Sequence, residues 1–360
     1  MVTLSYIPSE QEIKTVHEIR DFLIRTVKKQ LAENHIEAEV MAVGSTAKDT
    51  FVKGSMDIDI FIVSPKYKEA YKMFQQVFTS GKRKEGPMDI WHFIYRNYDV
   101  DLVFIPPDHP RIETLEHTAF MNRNLTPELK REVVKAKAFF KSKGVYGAEI
   151  GGIVGIAIEE LVRQHRTLEN VCKTLLSYKE KPYIPDPINP QRNLLASIVK
   201  IRWKQIQNAC NEYLSKKHFT FQPFTPTEYM KNKRTWTHLN FQRKHDRATD
   251  FNTALSVCNH ALNQIRNREP EVKGTCDAYV WNHVTISYHV TPEKLPKTKI
   301  YCGPPIDRKN AVEAFKFVHP DSFEKDGKIC TIVEREKTDV VQWMKDLITN
   351  RMHERNYLSI

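Results

Sequence analysis

The sequence predicts an α+β chain of several domains: an N-terminal α/β head, a helical neck and body, and a C-terminal α+β section. Three observations carry this. Helix-period and strand-like runs interleave over roughly the first 110 residues. Helical periodicity then holds from Thr126 to Lys216, broken by one proline-rich connector. Beyond Thr237, short strand-like runs alternate with helical ones. At 360 residues the chain is too long for one ordinary core. Domains are expected at 1–115, 116–222 and 223–360.

In the head, a helix is expected over 8–35. Ser9 makes a fitting N-cap with Glu12 three residues on, and Ile13, Val16, Ile19, Leu23 and Val27 keep helical spacing. Residues 37–43 read as a strand entering a Gly44-Ser45 turn, 57–63 as a second strand, and Pro65 opens a helix to Phe78. Strands 90–95 and 100–105 flank a turn at 96–99, and Pro106-Pro107 closes the head. In the middle, one helix runs from Thr126 to Lys143 with Gly144 as its C-cap, and another spans 153–175. Pro182, Pro185 and Pro187 keep 179–189 extended, and a basic helix follows over 192–216. The last third is expected to hold strands at 237–243, 276–281, 284–290, 299–302 and 329–335. Helices are expected there at 249–266, 308–317 and 338–353.

Composition narrows the function classes. No apolar run approaches the roughly 18 residues of a membrane span, and Met1 to Pro8 shows no basic region followed by an apolar one, so a cytoplasmic protein without membrane association is expected. Six scattered cysteines without a Cys-x-x-Cys pair point to reduced thiols rather than a disulfide frame or a zinc site. The net charge of +11 is concentrated: residues 131–250 hold 22 Lys/Arg against 11 Asp/Glu, and the other 240 residues are neutral. Solvated basic helices would explain a diffuse excess; a nucleic-acid surface explains a concentrated one, since cations on phosphates release counterions.

The chemistry centres on 44–63, GSTAKDTFVKGSMDIDIFIV. Residues i and i+2 of a strand share a face, so Asp57 and Asp59 project together, about 7 Å apart. Asp-x-Asp on a strand is also what a solvated face carries. Three additions favour a phosphoryl-transfer centre. Gly44-Ser45 ends an apolar run and offers N–H groups and a hydroxyl to a phosphate; Lys48 and Thr50 follow within a turn; further acids, Asp99 and Asp101, sit on another strand-like run. Paired carboxylates of this kind suit magnesium, which takes oxygen ligands from one or two carboxylates and substrate phosphates.

Gly-Ser, the spacer, Asp-Ile-Asp-Ile and the later Val-Asp resemble the polymerase-beta-type nucleotidyltransferase superfamily. Lys137 to Glu149, Glu159-Glu160-Leu161, Asp186-Pro-Ile-Asn-Pro-Gln-Arg-Asn193, Cys302-Gly-Pro-Pro305 and Ile332-Val-Glu-Arg335 narrow the resemblance to class I, archaeal-type CCA-adding enzymes, tRNA nucleotidyltransferases. The resemblance implies a nucleotidyltransferase head, a nucleotide-binding neck and a C-terminal α+β part that binds tRNA. It implies Asp57, Asp59 and Asp101 as catalytic ligands of two Mg²⁺ ions, with Asp99 the competing third acid. It implies Gly44, Ser45, Lys48, Thr118, Lys137 and Tyr146 at the triphosphate, with Asp186 and Arg192 meeting the base. For Lys137 and Tyr146 the bland alternatives are a solvated helix residue and a core aromatic; for Asp186 and Arg192, a salt bridge that pins the connector. Two places depart from the family pattern: Met121 replaces a histidine, and Gly152-Ile153-Val154-Gly155 replaces Gly-Phe-Ser-Gly. The implied partners are tRNA, CTP and ATP, and a homodimer is one option for the assembly. A terminal adenylyltransferase, an oligonucleotide synthase and a non-catalytic tRNA-binding protein are the alternatives.

Overall fold

The computed structural model describes residues 6–84, 88–222, 224–225, 229, 233, 235–245 and 247–360. They fall into two compact units, Met1–Asn232 with Asp246–Thr249, and Lys233–His245 with Asp250–Ile360.

The first unit begins with α1 (Glu10–Glu33), which starts as expected at a capping box between Ser9 and Glu12. Strand β1 (Glu39–Val43) leads into a short helix α2 (Gly44–Lys48), then β2 (Ile58–Val63), α3 (Tyr67–Val77), β3 (Lys82–Lys84), β4 (Asp89–Tyr95) and β5 (Tyr98–Ile105). The five strands form one sheet in the order β1-β2-β5-β4-β3, with β2 and β5 parallel and the other neighbours antiparallel. The period of two in β2 is used as anticipated. Ile58, Ile60 and Ile62 pack with Ile19, Leu23 and Phe74, while Phe61 and Val63 pack with Val43, Val103 and Leu115 on the other face. The β4–β5 turn is tighter than the sequence suggests: Tyr95 pairs with Tyr98, and Arg96 and Asn97 both take positive φ, 49° and 67°. Two left-handed residues match the twist of a hairpin.

A helical layer follows. Helix α4 (Glu113–Asn124), after a 3₁₀ turn at Pro110–Ile112, lies where the sequence placed no element. α5 (Pro127–Ser142) is capped by Thr126, whose hydroxyl accepts from Leu129 N. The single helix expected at 153–175 is two, α6 (Gly155–His165) and α7 (Leu168–Ser177). Arg166 takes φ 71° and Thr167 caps the new helix. The basic helix α8 (Lys200–Lys216) starts eight residues later than expected. The intervening chain instead folds back on the connector: Asp186 N donates to Arg192 O at 2.9 Å and Leu194 N to Ile184 O at 2.9 Å. Phe139, Phe140, Leu161, Val171, Leu195 and Ile206 are part of the core of this layer.

Among the described residues the second unit has two three-stranded antiparallel sheets. One is β6 (Thr237–Gln242), β8 (His283–Thr291) and β7 (Lys273–Val280), in that order. The other is β10 (Phe323–Lys325), β11 (Lys328–Glu334) and β9 (Thr298–Pro305). Helices α9 (Arg247–Arg268) and α11 (Val340–Glu354) bury one face each, whereas α10 (Lys309–Val318) buries no residue. The cysteine expectation needs correcting here. Cys302 and Cys330 are direct cross-strand partners on β9 and β11 and form a disulfide, while Cys172, Cys210, Cys258 and Cys276 are free and buried. Register between strands 28 residues apart brings the two sulfurs together, which sequence spacing does not reveal. Among the described residues no helix is long and apolar enough to cross a membrane.

Candidate active site

Four acids are neighbours where β2 and β5 start, without closing on a single point. Asp59 pairs in register with Asp101, and Asp57, which stands just before β2 rather than on it, lies next to Asp99. Asp59 is the one residue of β2 that is half-buried rather than fully buried. Its carboxyl is raised to about 7, by burial first and then by the negative charges of Asp101 and Asp57. Asp57 is also raised, by the surrounding protein, then Asp99; Lys141 acts in the opposite sense. Asp101 is held on two sides, by His92 Nδ1 at 2.9 Å and by Lys84 Nζ at 2.5 Å. Gly44 is required beside them. It has φ +78°, and a Cβ there would stand 2.5 Å from Asp59 Oδ2.

Among the described residues no three His, Cys, Asp or Glu side chains close on one point. The donor set nevertheless fits a hard divalent cation: carboxylate oxygens on neighbouring strands, with the charge of Asp101 raising both Asp57 and Asp59, for which a shared cation is the remedy.

A second cluster lies between α2, α5 and α6. Glu159 of α6 is 1% exposed and accepts from Lys48 Nζ at 2.6 Å and Lys137 Nζ at 2.6 Å. Thr50 Oγ1 donates to the same carboxylate at 2.9 Å and accepts from Lys137 at 3.0 Å. Burial works against ionising Glu159, but the two ammonium groups outweigh it and hold the carboxyl down at about 2. Lys137 goes the other way, lowered to about 8, because burial exceeds what its share of one carboxylate returns and Lys48 adds repulsion. Two cations on one anion leave the cluster a positive charge in excess, which suits a phosphate. The Tyr146 hydroxyl and Lys137 both border Gly155: a Cβ there would stand 3.0 Å from the hydroxyl and 3.6 Å from Lys137 Cε. Burial raises the Tyr146 phenol well above its ordinary range, so it stays a donor.

A third group lies on the connector. Asp186 is fully buried; its Oδ1 accepts from Ile188 N at 2.9 Å and lies 2.7 Å from His117 Nε2, while Arg192 pairs with its Oδ2. Arg192 also bonds Glu113 at 2.8 Å and keeps 44% of its side chain exposed. The salt bridge weighed from the sequence forms, and the arginine side chain stays partly exposed.

The structure thus gathers Asp57, Asp59 and Asp101 in one group, Lys48, Lys137 and Tyr146 in another, and Asp186 with Arg192 in a third. Ser45 and Thr118 join no cluster among the described residues: the Ser45 carbonyl accepts from Thr50 N at 2.9 Å, and the Thr118 hydroxyl donates to Thr114 O at 2.8 Å. Met121 is wholly buried in the helical core. Sequence reasoning missed Glu159, Lys141, Lys84 and His92. Lys141 follows Lys137 by one helical turn, and its ammonium lies 2.5 Å from Ser55 Oγ and 4.9 Å over the Tyr146 ring. That i, i+4 spacing was the available signal. Nothing local marks Lys84 or His92, since strand register alone brings them to Asp101.

Two family models match the chain: the nucleotidyltransferase domain over residues 24–144 and the tRNA nucleotidyltransferase second domain over residues 131–223. Together they span more than half of its 360 residues. Among curated relatives, the CCA-adding enzyme of Methanothermobacter thermautotrophicus is 24% identical over 395 residues, covering 95% of this chain and 86% of its own. That of Methanosarcina barkeri is 25% identical, covering 86% and 78%. That of Pyrobaculum aerophilum is 28% identical, covering 60% of each. Similar solved structures include the Cid1 poly(U) polymerase bound to MgGTP, at TM-score 0.48 and 13% identity over 62% of this chain and 94% of that one. A cytoplasmic RNA terminal U-transferase gives TM-score 0.46 and 13% identity over 60% and 92%.

Proposed function

Because the chain belongs to the nucleotidyltransferase family and carries its tRNA nucleotidyltransferase second domain, we propose that it adds CCA, from CTP and ATP, to the 3′ end of tRNA without a template. One observation supports this most: Asp59 and Asp101 stand opposite each other at the centre of the head sheet, with Asp57 beside them. Asp57, Asp59 and Asp101 would hold two Mg²⁺ ions, whose chemistry when bound is to lower the pKa of the attacking 3′-hydroxyl and to neutralise charge on departing pyrophosphate.

The chain's own residues do the rest by positioning. Lys48 and Lys137, sharing one carboxylate, present the excess charge that takes the triphosphate, and the Tyr146 phenol donates to it. Gly44 and Ser45 lie at the same turn, with Thr118 on α4. Arg192, oriented by Asp186 and Glu113, turns the exposed part of its side chain to the base. A guanidinium offers paired donors to the acceptors of cytosine or adenine, whereas uracil and guanine present a donor there. In this reading residues 1–115 carry the chemistry, 116–222 the nucleotide and 223–360 the tRNA. The enzyme works in the cytoplasm, as a monomer or a homodimer.

The test is incorporation. With Mg²⁺ and a tRNA trimmed of its CCA, CTP alone is expected to add the two cytidines and CTP with ATP the full triplet. No incorporation from CTP would sink the reading, and incorporation of ATP alone would replace it with a terminal adenylyltransferase.

A further inference from the structure

The acidic centre already carries a cation of the chain's own. Lys84 ends β3, an edge strand, and β4 lies between it and β5 in the sheet. Its side chain reaches over β4 so that Nζ stands 2.5 Å from Asp101 Oδ2, while His92 Nδ1 holds the other oxygen at 2.9 Å. The two sides of this contact are unequally buried. Asp101 is 12% exposed and Lys84 53%, so the acid is part of the framework and the lysine a long arm laid onto it. Lys82, two residues earlier on the same strand, is exposed and pairs opposite His92.

We propose that Lys84 is a tethered counter-cation of this centre, competing with a divalent ion for the Asp101 carboxylate and so setting how readily the centre takes metal. The proposal rests on the reading of Asp57, Asp59 and Asp101 as metal ligands. The physics is that of substitution. Three carboxylates grouped at the end of two strands repel one another, and an ammonium within hydrogen-bond distance relieves part of that repulsion. An ion that binds the same oxygens must first displace it. A flexible exposed arm makes the displacement feasible, because the lysine exchanges one strong contact for solvent without disturbing the sheet.

The experiment titrates the full chain with Mn²⁺, without nucleotide or RNA, by electron paramagnetic resonance of free Mn²⁺. It compares the parent with Lys84→Met, Lys84→Arg and Lys82→Met. Lys84→Met is expected to bind Mn²⁺ tighter by about fivefold, the fold-change that corresponds to an exposed ion pair of about 1 kcal/mol. Lys84→Arg is expected to stay close to the parent. Lys82→Met removes the same charge two residues away without a contact and is expected to change affinity by less than about twofold. Unchanged or weaker binding in Lys84→Met overturns the proposal, and so does an equal gain in Lys82→Met, which would reduce the effect to net charge. A second measurement needs no charge-removing variant. Lysines reductively methylated with ¹³C-formaldehyde are followed by NMR, the Lys84 signal being the one absent from Lys84→Arg. That signal should move on adding Mg²⁺, and a stationary signal at saturating Mg²⁺ overturns the proposal. Because neither readout is nucleotide incorporation, a chain that fails to add CCA can still pass. Absence of Mn²⁺ binding in every variant would overturn the acidic metal centre itself and this proposal with it.

Discussion

Lys137 Nζ lies 2.6 Å from Glu159 Oε1, and the two side chains are only 3% and 1% exposed. A buried carboxylate shared by two lysines is a structural joint and a charge reservoir at once. Removing the anion leaves two buried ammonium groups without their partner, which breaking a buried ion pair costs about 3–5 kcal/mol. Glu159→Gln is therefore expected to lower thermal and urea stability by that order. The sign of the pH dependence follows from the carboxyl itself. Its folded pKa, about 2, is depressed below the unfolded value of 4.5, so its contribution is present above about pH 4.5 and lost as pH falls toward 2. Equal stability of the two proteins at pH 7 would refute the joint.

The Lys137 ammonium, lowered to about 8, loses its proton far earlier than an ordinary lysine. If it helps hold the triphosphate, KM for CTP is expected to climb as pH passes about 8, with kcat changing less. Lys137→Arg, which stays charged at all these values, is expected to flatten that climb. A pH profile of KM identical in the two proteins would remove Lys137 from the triphosphate.

Register separates the two acids of β5. Asp101 is the partner of Asp59, whereas Asp99 adjoins Asp57 and is the more exposed. Asp101→Asn is expected to reduce kcat by about a thousandfold or more while leaving the fold intact, and Asp99→Asn by less than about tenfold. Circular dichroism checks the fold in both. The reverse order of effects would make Asp99 the third acid.

At Gly44 the space is filled by an acid. Alanine there faces both φ +78° and an oxygen of Asp59 at 2.5 Å from its Cβ. The left-handed backbone costs about 1–2 kcal/mol, and Asp59 must shift. Gly44→Ala is expected to lose activity by more than about tenfold with only a modest drop in Tm. Unchanged kcat would show that the placement of Asp59 does not depend on this turn.

Arg192 is tied to Asp186 and Glu113, so its loss has two readable consequences. If the guanidinium reads the base, Arg192→Ala is expected to narrow the preference for CTP over UTP. If it only pins the connector, incorporation from CTP, ATP and UTP falls by one common factor.

Much of the head was legible because its signals are local. A period of two put Ile58, Ile60 and Ile62 on one face and Asp59 on the other, and Ser9 with Glu12 marked the start of α1. Helix α4 was not legible. The positions it buries include His117 and Thr118, polar residues that read as surface until Asp186 is seen beside His117. The late start of α8 escaped for a similar reason, since the chain before it is tied to the connector, by Asp186 N on Arg192 O and Leu194 N on Ile184 O.

The sequence by itself determined which stretch carries the acids, that Asp59 lies opposite the apolar face of its strand and where the positive charge is concentrated, because alternation and composition are properties of neighbours along the chain. Only the tertiary structure decided that Glu159 joins Lys48 to Lys137, that Lys84 lies on Asp101 and that Cys302 meets Cys330. Each of these pairs is joined by packing or strand register across a long separation, and no local pattern encodes a partner that far away.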